Sequence, residues 1–178
     1  MALISLVLMI PGVKTAVRQS LGVGLCLMSP LSRGQVRLSS KDPSEPPSID
    51  PRYLTQESDW DALYSLFCSL RRAQSSEQGR KVLGFELQPG PAYGYCGSEA
   101  RFRSWVRATA LPYFHLCGTC RMGTGAADSV VDANLRVHGV KGLRVADASV
   151  APRIPSAPIQ AMVAMVGHRA SSLIANGS

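Results

Sequence analysis

The side chains best suited to take part in a reaction lie together in one short segment, residues 113–123, which reads YFHLCGTCRMG. His115 offers an imidazole that can accept or donate a proton near neutral pH. Cys117 and Cys120 form a single C-x-x-C pair, a spacing found in zinc sites and in redox-active dithiols. These residue types leave three interpretations open: chemistry on the imidazole, chemistry on the sulfurs, or a purely structural segment.

The sulfur chemistries lack the companion residues that they need. A structural zinc site requires four ligands, and the chain holds no second C-x-x-C and no H-x-x-x-H. Three other cysteines are isolated: Cys26, Cys68 and Cys96. A thioredoxin-type pair opens a helix after a strand, and the glycines of residues 117–125 disfavour a helix start. The sequence therefore predicts reduced, idle thiols and no metal site.

Two glycine-rich stretches fall short of a dinucleotide-binding fingerprint, which needs G-x-G-x-x-G between a strand and a helix. The first, GVGLCL, has Leu27 in place of the third glycine, and the second, GTGAAD, has Asp128 there. Neither precedes a helical pattern. The printed sequence therefore offers no phosphate-binding loop of this type.

Composition and charge set wide limits on the class of protein. The 178 residues are 46% hydrophobic and 17% charged, which is typical of a folded domain. The net charge of +7 is spread without any run of five basic residues, so nucleic-acid binding is not indicated. The apolar start MALISLVLMI stops at Pro11, about half a membrane span, and no basic residue precedes it. A cytoplasmic location is weakly favoured, and an amino-terminal targeting segment stays an alternative.

The amino-terminal half predicts a small sheet followed by a helix. Residues 21–40 read as strand, turn and strand, and the proline-rich stretch 41–51 reads as a loop. The next helix is expected over residues 58–73, with Ser58 as N-cap and both Asp59 and Asp61 in its first turn. Its apolar stripe is Leu63, Leu66, Phe67 and Leu70.

The carboxyl-terminal half predicts a second helix, two β-type runs and a last helix. The second helix covers residues 99–110, and the β-type runs are 134–140 and 142–150. Ser156 is the expected N-cap of the last helix, which ends before the closing NGS. One face of this helix is apolar and comprises Ile159, Met162, Val163, Val166, Ala170 and Leu173.

The order of these motifs resembles the carboxyl-terminal signature of the glucose–methanol–choline (GMC) oxidoreductases. That family carries H-x-x-G-T-C-K/R-M-G, matched here by residues 115–123, and then V-D-x-x-L-R-V-H-G-V-x-G-L-R-V-x-D-A-S, matched by residues 131–149. The likeness covers roughly residues 21–178.

The resemblance implies an α+β fold. Residues 21–125 would form part of a substrate-binding domain, an antiparallel sheet with helices on one face. Residues 126–178 would return, as a strand and a helix, to a Rossmann-like FAD-binding half that this sequence does not contain. Residues 1–20 are left unassigned.

The resemblance also implies a chemistry, in which a CH–OH donor is oxidised by hydride transfer to FAD with His115 as the base. Asp147 and Ala148 match positions that lie against the middle section of the flavin. The start of the last helix, from Pro158 onward, would point at the flavin pyrimidine ring and offer it the N–H groups of Ile159 and Gln160. The implied partners are a small alcohol and the missing FAD-binding half.

One position departs from the family pattern. Pro158 stands where the family has a His or Asn that hydrogen-bonds the substrate oxygen, and proline has no donor. Two alternatives therefore accompany alcohol oxidation: a non-catalytic remnant that binds a partner through uncovered apolar surface, and a flavin-dependent lyase or decarboxylase. We also expect the isolated chain to expose a large apolar patch and to bind no FAD tightly.

Overall fold

The chain folds as an α+β arrangement, as predicted. The computed structural model describes residues 21–83, 86, 89–90 and 97–177. Its elements are β1 (Gln35–Arg37), β2 (Ser48–Asp50), α1 (Glu57–Ser75), α2 (Glu77–Val82), α3 (Glu99–Thr109), a 3-10 turn (Ala148–Val150) and α4 (Gln160–Ala175). The unassigned segment 1–20 and Cys96 lie outside the described residues. No helix within the described ranges is long and apolar enough to cross a membrane.

The sheet is smaller than the sequence predicts. β1 and β2 pair antiparallel, with Val36 opposite Ile49. The expected strand within residues 21–27 is wrong, because this stretch carries two glycines and finds no partner strand among the described residues. The expected helix layer over the sheet is also wrong for the described residues, since Val36 and Ile49 stay 46% and 69% exposed.

Helices α1 and α3 pack together through an aromatic core, which we define as Trp60, Phe67, Phe102 and Val106. The rings of Phe67 and Phe102 lie 5.0 Å apart between centroids. The predicted apolar stripe of α1 is partly wrong, because Leu66 is 41% exposed while Trp60 turns inward and donates from Nε1 to the Leu54 carbonyl. Ser98 caps α3 by accepting from the Arg101 N–H.

The start of α1 is held by a distant turn rather than by its own N-cap. The predicted cap Ser58 is wrong: the helix begins at Glu57, and its N-cap Gln56 makes no side-chain capping bond. Ser32 Oγ instead accepts from the backbone N–H groups of Thr55 (2.9 Å) and Gln56 (3.2 Å). The turn before β1 thus docks on the first turn of α1.

The second half of the chain has a separate carboxyl-terminal core, defined as Val131, Leu135, Val150, Ala170 and Leu173. The predicted apolar face of α4 is confirmed, since every residue of that face is buried or half-buried. Its predicted N-cap is wrong: α4 begins at Gln160, not after Ser156. Pro158 disfavours helical geometry at Ala157 and so delays the helix start.

Residues 142–150, which the resemblance assigns to a strand of the FAD-binding half, do not form a strand with the described residues. Within the described part of the chain they pair only through an isolated bridge between Arg144 and Arg136, and the 3-10 turn follows. Asp147 explains the change, because its carboxylate accepts from the Ser149 N–H at 2.8 Å. This local turn competes with a strand for the same backbone groups.

Candidate functional site

His115 lies in an irregular segment after the end of α3. The edge of its ring meets Tyr113, with centroids 4.6 Å apart and planes at 73°. Its Nδ1 is buried and has no hydrogen-bond partner within the described part of the chain. Buried polar atoms in folded proteins nearly always have partners, so this nitrogen is suited to a group that these residues do not supply.

The backbone beside His115 is strained. Phe114 has φ of 61°, a left-handed conformation that costs a residue with a side chain about 1–2 kcal/mol. Its side chain is 78% exposed, while His115 is half-buried. Strain of this kind is commonly found where a protein must hold a neighbouring side chain in a fixed direction.

The residues that follow His115 are fixed to the turn at 148–150. The N–H groups of Gly118 and Cys120 both donate to the Ser149 carbonyl, at 3.0 and 3.1 Å, and the Met122 N–H donates to the Val150 carbonyl at 2.8 Å. Gly118 has φ of +88°, and a Cβ there would lie 3.4 Å from the Ala151 carbonyl. The glycine of the G-T-C motif is therefore required by conformation.

Asp147 and Ala148, two predicted cofactor residues, belong to this turn. The nearby Ser149 hydroxyl and the hydrogen bond from the Ser149 N–H lower the pKa of Asp147 below its usual value, so the carboxylate stays ionised at neutral pH. Asp147 is exposed and Ala148 is half-buried. Both residues thus lie in the turn to which the loop after His115 is hydrogen-bonded.

The other three predicted residues form the start of α4. Its N-cap Ile159 makes no side-chain capping bond, so among the described residues no N-cap side chain satisfies the first N–H groups of this helix. Pro158 and Gln160 are exposed. None of the hydrogen bonds or ring contacts of the described residues joins His115 to this helix start. The loop that follows His115 is hydrogen-bonded to Ser149 and Val150, the residues after Asp147 and Ala148, whereas no such bond joins it to Pro158, Ile159 or Gln160 among the described residues.

The two thiols of the C-x-x-C pair are free and half-buried. Burial raises the pKa of the Cys117 thiol, and the nearby positive charge of Arg33 partly opposes that effect. Sequence reasoning missed both this approach of Arg33 and the role of the Ser149 carbonyl. Neither has a local signal, because each joins segments that are far apart in the chain.

Comparisons with known proteins agree on one family. A family model described as GMC oxidoreductase matches residues 30–167. An oxygen-dependent choline dehydrogenase of Klebsiella pneumoniae is 38% identical over 143 residues, which are 80% of this chain and 25% of that protein. An Escherichia coli protein of the same description is 36% identical over the same length. The chain therefore spans about a quarter of the length of these curated relatives.

Solved structures give the same result. Pyridoxine 4-oxidase from Mesorbium loti superposes with a TM-score of 0.71 and 32% identity, covering 82% of this chain and 28% of that one. A fungal aryl-alcohol oxidase superposes with a TM-score of 0.73 and 34% identity, covering 83% of this chain and 24% of that one. The predicted resemblance is confirmed: this chain belongs to the GMC oxidoreductases, a family of FAD-dependent oxidoreductases, and corresponds to their carboxyl-terminal portion.

Proposed function

We propose that this chain supplies the proton-accepting part of a FAD-dependent oxidoreductase that acts on the CH–OH group of an alcohol, with His115 as the base. The observation that carries the proposal is the buried, unpartnered Nδ1 of His115 in a segment fixed against the turn at 148–150. FAD, when bound, supplies the acceptor for the hydride that leaves the alcohol carbon. The residues of this chain bind and orient the alcohol, and His115 accepts its hydroxyl proton.

The two ring nitrogens of His115 have different roles in this proposal. Of the two, only Nδ1 is both fully buried and without a hydrogen bond within the described residues. A neutral imidazole that carries its proton on Nδ1 has its lone pair on Nε2, which then accepts the substrate hydroxyl proton. The Nδ1 proton needs an acceptor from outside the described residues, and the FAD-binding portion is the source that we propose.

The remaining predicted residues fit a flavin in different ways. The uncapped N–H groups at the start of α4 suit a site where negative charge develops, and we assign Ile159 and Gln160 to the pyrimidine side of the flavin. We place Asp147 and Ala148 beside its middle section. Pro158 contributes shape only, because it has neither a side-chain donor nor an N–H. His115 thus acts without the second polar residue found elsewhere in the family.

The test is a completed enzyme in which this chain is joined to the FAD-binding portion of a related GMC protein. Flavin reduction is followed by stopped-flow absorbance with choline, pyridoxine and benzyl alcohol, which are chosen from the names of the relatives. His115→Ala is expected to slow reduction by about 10²- to 10⁴-fold. His168→Ala, an exposed histidine on α4, is the matched control and is expected to leave the rate unchanged. Equal rates for His115→Ala and the parent would remove His115 from the mechanism.

Pro158 favours a second candidate, a non-catalytic chain that binds a partner. In that case none of the tested alcohols reduces the flavin of the completed protein. Pro158→Asn, which restores a donor at the helix start, gains activity. If the parent is active and Pro158→Asn changes the rate by less than about two-fold, the second candidate is excluded. We further expect the isolated chain to retain no FAD after desalting, and a stoichiometric yellow complex would contradict this expectation.

A further inference from the structure

The segment from Asp132 to Arg144 folds back on itself around a cleft of about 520 Å³. The Val137 N–H donates to the Leu143 carbonyl at 3.0 Å and closes the base of the cleft. Gly139 and Gly142, both with φ of 75°, shape its rim. A cleft of this volume is within the range that small organic ligands occupy.

Positive charge is concentrated at this cleft. Arg136 and Arg144 are paired directly opposite each other in an antiparallel bridge, so their Cβ atoms are about 4.5–5.5 Å apart. Like charges in that position repel and destabilise the pairing. Lys141 lines the same cleft. None of these three side chains has an ion-pair partner within the described ranges, whereas other arginines there do.

The single carboxylate of the cleft is committed elsewhere. Asp132 Oδ1 accepts from the N–H groups of Asn134 and Arg136, each at 2.8 Å. The imidazole of His138 is also engaged, through a contact of 3.1 Å between its Nε2 and Ser129 Oγ. Asp132 therefore offsets one of the three positive charges, and the cleft keeps a net positive charge.

Several hydrogen-bond donors of the cleft have no protein acceptor among the described residues; one of them is buried, and the others lie on exposed residues. Arg144 Nε donates to the Asn134 carbonyl at 3.2 Å, but its Nη2 is buried and has no partner among the described residues. The N–H groups of Gly139, Lys141 and Gly142 make no hydrogen bond to described residues either. A buried donor of a charged group is costly when it is unmatched, so this arrangement suits a ligand that accepts hydrogen bonds and carries negative charge.

We propose that this cleft binds the phosphate monoester group of a small organic molecule. A guanidinium fork binds phosphate oxygens in a bidentate manner, and backbone N–H groups of a turn bind the same oxygens. The dianion relieves the repulsion between Arg136 and Arg144. The apolar side chains of Val137 and Leu143, which line the cleft, contact the organic part.

The test uses the full chain at low ionic strength, with isothermal titration calorimetry of inorganic phosphate and of phenyl phosphate. We expect saturable binding at one site and tighter binding of phenyl phosphate. In nuclear magnetic resonance spectra, the amide signals of Gly139, Lys141 and Gly142 are expected to shift on titration of the unmodified chain. A titration without saturation, or without shifts at these amides, would overturn the proposal.

Variants separate a built site from general electrostatic attraction. Lys141→Gln and Arg136→Gln are each expected to weaken phosphate binding about ten-fold or more, since each removes a charge-assisted hydrogen bond. Lys41→Gln and Arg153→Gln remove exposed charges outside the cleft and are the matched controls. Unchanged affinity in the cleft variants, or equal losses in the controls, would refute the site.

A vesicle experiment distinguishes the source of the phosphate monoester. Phosphatidylcholine vesicles with and without phosphatidic acid are mixed with the chain and sedimented. Binding of phenyl phosphate without recruitment to phosphatidic acid identifies a free metabolite, and recruitment that Lys141→Gln abolishes identifies a lipid headgroup. Recruitment that the cleft variants do not weaken would count against the proposed site.

Discussion

Replacing Asp59 by Asn should destabilise the chain far more than its position on a helix suggests. Asp59 is only 2% exposed and joins α1 to the turn before β1. Its Oδ1 accepts from the Leu31 N–H at 2.8 Å, and its Oδ2 accepts from the Ser32 N–H at 2.8 Å and from Ser32 Oγ. The same Ser32 hydroxyl accepts from the backbone at the start of α1, so one carboxylate organises the whole contact.

The expected magnitude follows from the geometry of the replacement. An asparagine has one acceptor oxygen, and in either orientation of the amide its NH₂ group faces one of the two backbone N–H donors. The variant therefore loses a charge-assisted hydrogen bond, worth about 1.5–3 kcal/mol, and leaves a buried donor unmatched, at about 1–3 kcal/mol. We expect the free energy of unfolding to fall by about 3 kcal/mol, a large part of the stability of a typical domain.

The assay is urea unfolding followed by circular dichroism, with Asp61→Asn as the control. Asp61 lies two residues further along the same helix and is exposed, so its replacement should change the free energy of unfolding by less than about 0.5 kcal/mol. Equal effects of the two substitutions would refute the assignment of Asp59 as the anchor of this turn.

The pH dependence provides a second test of the same contact. Burial alone would raise the pKa of Asp59, but hydrogen bonds from the Leu31 N–H and from the Ser32 side chain and N–H lower it below its ordinary value. A lowered folded-state pKa adds stability above the unfolded-state pKa of about 3.9, and this stability is lost as the pH falls through the folded-state value. The difference between the parent and Asp59→Asn should thus be full at pH 7 and shrink below about pH 4. A difference that stays constant down to pH 2 would show that the carboxylate charge is not involved.

Three further predictions concern the carboxyl-terminal half. Leu173→Ala, at a position 5% exposed, should lower the free energy of unfolding by about 3 kcal/mol, whereas Ile174→Ala, 65% exposed, should change it by less than about 0.5 kcal/mol in the same urea assay. Gly118→Ala should lower the free energy of unfolding by about 1–2 kcal/mol because of the positive φ of this residue. Gly125→Ala, where no atom lies within 4 Å of an added Cβ, should leave it unchanged. Similar melting temperatures for the two variants would contradict the conformational requirement at Gly118. Burial raises the pKa of Cys117, and the charge of Arg33 partly opposes that rise. Arg33→Gln should therefore raise this pKa further and slow alkylation of the thiol at pH 8, as measured by peptide mass spectrometry. Unchanged or faster alkylation would show that the charge is not felt there.

Helices with a strong apolar periodicity could be predicted from the sequence. The roles of individual side chains could not be predicted where contacts between distant segments determine them. The helix expected over residues 58–73 is found as Glu57–Ser75, and the expected face of α4 is the one that packs. Asp59 and Asp61 looked equivalent, because both suit the first turn of a helix. Only the approach of the turn at Leu31 and Ser32 makes one of them structural, and that contact has no local signal in the sequence.

The β-type runs depend on partners in a related way. A β-type run forms a strand only when a partner offers a continuous row of backbone groups, and among the described residues the run 142–150 finds one at Arg144 alone. Beyond that point the Asp147 side chain closes a turn that the A-D-A-S motif could have indicated. At the site, the motif located His115 on the chain, but only the structure shows that the following loop is fixed to the Ser149 carbonyl.

His115 lies on the connection between the two cores. Val106 is the last residue of the aromatic core, and Met122 is the first residue that packs against the carboxyl-terminal core. Among the described residues, the long-range backbone hydrogen bonds of this connection are those that Gly118, Cys120 and Met122 donate to the turn at 148–150. On its amino-terminal side Leu111 and Phe114 are 87% and 78% exposed, which is unfavourable for apolar groups in water. If a partner covers this side, as proposed, it would bury those groups and restrict the imidazole in one step, so binding of the partner would also position the proposed base.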